Sequence, residues 1–171
     1  MLSRKKFIKK SALILGTTII TPACYSQNTE QKKNIYSYDE IEEFVFAAHS
    51  DFDKTKKIVT NKPTIINATN QFIKGDFETA LGGAAHMGRK DIADLLLARG
   101  ARQDIFTMTF FGEDDFIKQM INKSPVLINA PGPHGFTLLH HARVGKHKKM
   151  EEWFLSKGLT ENMFKDVFGE N

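Results

Sequence analysis

Thr79–Ala101 reads TALGGAAHMGRKDIADLLLARGA, two short helical patterns separated by Gly88 and closed by Gly100. Ala80, Leu81, Ala84 and Ala85 give the first a small-residue face, and Ile92, Leu95 and Leu96 give the second an apolar stripe at helical spacing. Gly100 stands where a helix needs a left-handed residue to end. Two helices this short cannot bury both faces against each other. Neighbouring units must cover them, which is the situation of a repeat protein.

The neighbours are visible on either side. Thr137–Leu159, TLLHHARVGKHKKMEEWFLSKGL, repeats the pattern 58 residues on, matching Thr79 to Thr137 and Gly100 to Gly158. Pro63-Thr64-Ile65-Ile66-Asn67-Ala68 recurs as Pro125-Val126-Leu127-Ile128-Asn129-Ala130, 62 residues later. Two interleaved echoes of about 60 residues imply a unit of about 30, which suits stacked helix pairs.

Thr137-Leu138-Leu139-His140-His141-Ala142 resembles the ankyrin signature T-P-L-H-x-A, with Leu138 in the proline slot. Thr79–Ala101 is similar to the rest of that consensus, although Gly82 replaces the signature histidine and Phe77 a usual turn glycine. The resemblance implies an all-α, ankyrin-type helix-turn-helix solenoid over 37–171. Its repeats would fall at about 37–70, 71–101, 102–129 and 130–159, with a closing helix at 160–168.

The first pair starts at a capping box, Ser37-x-x-Glu40, and Ile41, Phe44, Val45 and Ala48 face inward. Ser50-x-x-Asp53 opens its second helix, which runs to about Thr60 with Ile58 and Val59 inward. The third pair reads as Ile105–Phe111 and Glu113–Asn122, with Phe116, Met120 and Ile121 buried. Phe72 and Ile73 sit in a loop that closes over the first two repeats, with a turn at Lys74-Gly75-Asp76. Gly88 and Gly112 lie so close that the third repeat lacks its projecting hairpin. Met163, Phe164 and Val167 are expected to face back from the closing helix.

Residues 1–23 read as a secretory signal. Arg4, Lys5, Lys6, Lys9 and Lys10 form a basic head before an apolar run too short to span a membrane. Ser3–Lys9 resembles a twin-arginine export signal, with Lys5 as the second basic residue. Cys24, the single cysteine, resembles a bacterial lipoprotein acceptor, and ordinary cleavage after Ala23 or Ser26 is the alternative. Residues 24–36 read as a polar tether. The protein is therefore expected to be exported, either periplasmic or anchored on the periplasmic side, touching membrane only through a lipid on Cys24.

The chain is +4 overall, but five of its 24 basic residues precede Cys24 and none of its 20 acidic ones does. The remainder carries net charge −1, so no basic stripe argues for nucleic acid.

Ankyrin-like geometry implies a concave surface carrying Glu78, His86, Phe110, His134 and Phe136, with which a monomer would bind a protein partner. A notch between Lys74–Asp76 and Pro131–Gly135 would have Phe110 as its floor. His140 takes the signature histidine's role of hydrogen-bonding backbone, while His49, His141 and His147 read as surface residues. Asp76 and Glu78 read as caps of the helix that follows. No nucleophile elbow or phosphate loop is present, so no catalytic residue, cofactor or metal is assigned and no enzyme is expected. The alternative is a small-molecule or metal-binding accessory protein of the envelope, motivated by His86, His134, His140, Phe110, Phe111 and Phe136. For a metal, the sequence offers no third ligand at a recognisable spacing.

Overall fold

The computed structural model describes residues 35–169. The signal, nearly all of the tether and Cys24 lie outside the described residues. Helices come in pairs: α1 (Tyr38–Ser50) with α2 (Phe52–Asn61), α3 (Ala80–His86) with α4 (Lys90–Leu97), α5 (Ile105–Phe111) with α6 (Asp114–Lys123), and α7 (Leu138–Val144) with α8 (Lys148–Ser156). The first helices of successive pairs pack on one another, α1 on α3, α3 on α5 and α5 on α7.

Local chemistry starts these helices. Ser37 and Glu40 form a reciprocal capping box at α1, and Asp104 and Thr107 form one at α5. Thr79 and Thr137 cap α3 and α7 by accepting from Gly82 N and His140 N. At α2 the cap is Asp51 rather than Ser50, because the Asp51 carboxylate accepts from Lys54 N. The Pro63 and Pro125 echoes fold alike, each a short 3-10 turn after an outer helix.

Two apolar clusters hold the pairs together. Phe44, Val59, Ile65, Leu81, Ile92 and Leu96 lie in the first; Ile117, Leu138, Leu139, Met150 and Phe154 lie in the second. Helix α5 joins them, giving Phe110 to the first and Phe106 to the second.

Several expectations need correction. The chain is mostly helical but not all-α: Thr69–Ile73 and Asp76–Thr79 form an antiparallel hairpin, β1 and β2, with Gly75 at φ +92° in its turn. Phe72 and Ile73 are therefore strand residues, not loop residues. Residues 160–168 form no helix. Their backbone is drawn to the preceding loop instead, with Thr137 N donating to Asn162 O and Phe164 N to Gly135 O, and Phe136 bridging Met163. Of the three residues expected to face back there, only Phe164 packs on the core, while Met163 and Val167 are exposed. Phe116 is exposed as well, because the buried stripe of α6 runs through Ile117 and Ile121, rotated one position. His141 is buried, donating Nδ1–H to Thr137 O.

Leu96 is fully buried, so Leu96→Ala is expected to cost ~2–5 kcal/mol in denaturant unfolding. A change within about 0.5 kcal/mol would contradict this packing. Burial pushes the His141 imidazole down to about 4, so it stays neutral when the unfolded chain takes up a proton. Its contribution is present above pH 6.5 and is lost as pH falls from there toward about 4. His141→Gln should therefore flatten the acid limb of stability by up to about 3 kcal/mol. Parallel pH–stability curves for the two proteins would refute that.

Candidate metal centre

The buried face of the β1–β2 hairpin is polar. Asn70, Asp76 and Glu78 are all buried, and Asn70 stands opposite Glu78 in the ladder. Asp76 and Glu78 do not cap α3, since Thr79 does. They turn onto three histidines from elsewhere: His49 near the end of α1, His86 at the end of α3, and His134 in the turn Pro133–Gly135. One ligand atom from each of His49, Glu78, His86 and His134 lies within 4.8 Å of the others.

The carboxylate is the centre of the group. Glu78 Oε2 is 3.2 Å from His49 Nε2 and 3.5 Å from His134 Nε2, and Glu78 Oε1 is 3.4 Å from His86 Nε2. None of these contacts is aligned as a hydrogen bond. Both Glu78 oxygens and both His86 ring nitrogens are buried without a hydrogen-bond partner among the described residues. Donor atoms on a tetrahedral zinc ion with bonds of ~2.0–2.1 Å would stand about 3.3 Å apart, close to these separations.

The other ring nitrogens fix the tautomers. His49 Nδ1 is 2.9 Å from Val45 O, and His134 Nδ1 is 2.7 Å from Asp76 Oδ2. A carbonyl and a carboxylate only accept, so both Nδ1 atoms donate. The Nε2 lone pairs of the neutral rings are then aimed at a carboxylate, acceptor against acceptor. Either protons or a cation must relieve that conflict. Metal-bound histidines are oriented in this way by outer acceptors.

Protonation energetics reflect the conflict. Burial would lower His49, but the Glu78 carboxylate outweighs it and the imidazole is raised. Glu78 also raises His134, against its partial burial. Burial would raise Glu78 itself, yet the close approach of His134 and His49 holds it down at about 2. His86 is pushed down to about 3 by burial and stays neutral at neutral pH, the form a metal needs.

The fold makes specific room for this group. A Cβ on Gly83 would come within 2.8 Å of the His49 ring, so the glycine lets that imidazole lie against α3. Glycine inside a helix costs about 1 kcal/mol relative to alanine, and the space it leaves is used by the His49 ring. His134 adopts φ +56°, unusual for a side-chain-bearing residue. Asp76 secures it by accepting from His134 N at 3.0 Å as well as from the ring. Aromatic rings flank the group: Phe72 stands edge-on to His134, Phe136 edge-on to His86, and Phe46 tilts beside His49.

Of the residues expected on a concave face, Glu78, His86, His134 and Phe136 do come together. Phe110 does not, because it is buried in the first apolar cluster against Phe111. The expected notch is closed, since Asp76 and His134 join its two loops directly. Phe136 stacks on His140 at 4.3 Å, and His140 Nε2 donates to His86 O at 2.8 Å, the backbone role the resemblance implies. His49, expected at the surface, is half-buried and supplies the missing third imidazole. The paired Gly82-Gly83 inside a helix was the one sequence signal pointing to a crowded neighbour.

No family model matches the chain, and no curated protein matches it.

Removing the Glu78 charge should lower the imidazoles it raises. In metal-free protein followed by NMR, His49 and His134 are expected to titrate at lower pH in Glu78→Gln than in the wild type. Unmoved titrations would mean the carboxylate does not face these rings.

Proposed function

We propose that this protein binds a divalent transition-metal ion, zinc being the best fit, through His49, Glu78, His86 and His134. One observation carries the reading: a buried carboxylate without a hydrogen-bond donor faces the Nε2 atoms of three imidazoles, two of them locked with Nδ1 donating. Three imidazoles and one carboxylate suit zinc and its borderline neighbours better than calcium or magnesium, which favour all-oxygen shells. Asp76 and the Val45 carbonyl would orient the ligands from outside.

The scaffold reading is an exported, ankyrin-like stack of helix pairs. The succession α1, α3, α5 and α7, the repeated 3-10 turns and the His140 hydrogen bond support it. Export rests on the basic head, the apolar run and Cys24 in the sequence. Metal binding takes precedence over a protein-binding concave face here, because Glu78, His86 and His134 are turned on one another rather than outward. No catalytic step is assigned.

Titration calorimetry of metal-stripped protein with Zn(II) should show one saturable site. Free metal about 100-fold above its Kd should add about 2.7 kcal/mol of stability, read as a raised Tm. His86→Ala should abolish both effects. Gly83→Ala should keep the fold, with the helix gaining up to about 1 kcal/mol of propensity. Its Zn(II) affinity should fall about 10–100-fold, as for other displaced metal supports. Absence of saturable Zn(II) binding, or binding indifferent to His86→Ala, would overturn the proposal.

A further inference from the structure

The four metal ligands do not account for all the buried polar atoms at the hairpin face. Asn70 is fully buried, and neither its Nδ2 nor its Oδ1 has a hydrogen-bond partner among the described residues. Directly opposed residues of an antiparallel pair project from the same face, with Cβ atoms about 4.5–5.5 Å apart. The Asn70↔Glu78 pairing therefore places the amide beside the carboxylate. A metal ion would take up Glu78 through one oxygen or both, but it cannot bind the amide's N–H donors. Leaving such a buried amide unpaired costs ~1–3 kcal/mol, in the strand paired with the one that carries Glu78.

We infer that the metal centre has an exchangeable position for a small Lewis base, a water molecule or a small anion, and that the Asn70 amide hydrogen-bonds that ligand. The inference rests on the metal reading above. The chemistry of Asn70 fits: it offers donors to the lone pairs of a metal-bound anion and an acceptor to the proton of a bound water. Access is limited but present, because the side chains of His49 and His134 are 18% and 29% exposed while those of Glu78 and His86 are 0% and 4%. The edge between His49 and His134 is thus the wet side of the cluster. The rings of Phe46, Phe72 and Phe136 narrow the surroundings and select for small ligands. With His49, Glu78, His86 and His134 bound, the added ligand makes a zinc ion five-coordinate, an expansion that the ion permits.

The test uses full-length, metal-stripped protein loaded with Co(II), whose visible spectrum reports coordination, and azide as the probe. The expected result is a saturable spectral change with azide at one site. In Asn70→Leu, azide affinity should fall about tenfold, the loss of one charge-assisted hydrogen bond, with Co(II) affinity nearly unchanged. Asn70→Ser, which retains a hydroxyl donor, should fall between the two and serves if the leucine variant does not fold. Co(II) binding without any azide response would overturn this inference and leave the metal reading standing. An azide response identical in wild type and both variants would overturn the role of Asn70. Failure of Co(II) to bind at all would sink both.

Discussion

Everything at the centre of this molecule answers to one buried charge. Glu78 is 1% exposed, and a carboxylate so far from water is tolerable only if something positive or strongly hydrogen-bonding compensates it. The hairpin supplies no donor to it. Compensation comes from three imidazoles that other parts of the chain bring within 3.5 Å. Without a metal, two of those rings hold protons above their ordinary range to do so, while the third is too buried to follow. A divalent cation meets the same demand at a single point, and this is why the cluster reads as a metal centre rather than as a set of ion pairs.

The scaffold pays for that arrangement in several small ways. Two glycines sit inside a seven-residue helix, and Gly83 is where the His49 ring would collide with any side chain. His134 is held in a left-handed backbone conformation by two hydrogen bonds that it donates to Asp76. A hairpin turns a polar face, Asn70, Asp76 and Glu78, toward α1 and the histidines, where apolar residues would be more stable. Local departures from stability rules gathered at one place are what a functional site is expected to show.

The connection between the third and fourth pairs explains how His134 arrives. No hairpin projects between α4 and α5, so the loop before α7 meets the β1–β2 hairpin directly. The same closeness lets His140 reach the carbonyl of His86. The shortened third unit, legible from the spacing of Gly88 and Gly112, thus removes the barrier between residues otherwise kept apart. Where an open notch is expected, Asp76 and His134 make a closed contact that completes the cluster.

The sequence by itself determined the helix pairs, because their causes are local. Capping residues at Ser37, Thr79, Asp104 and Thr137, apolar spacing in α4 and α8, and left-handed Gly100 and Gly158 act within a few residues of themselves. It also marked Glu78, His86 and His134 as belonging to one surface. The hairpin was missed because Thr69–Thr79 lacks an alternating apolar pattern, its buried positions being polar for the sake of the site. In the closing segment the helical spacing of Phe164 and Val167 competes with backbone hydrogen bonds to another loop, and those bonds win. Only the tertiary structure decided that His49 joins the others. The convergence of these side chains is decided over a few ångströms between atoms on separate elements, and that distance depends on how α1, the hairpin, α3 and the loop before α7 pack. No spacing along the chain encodes it.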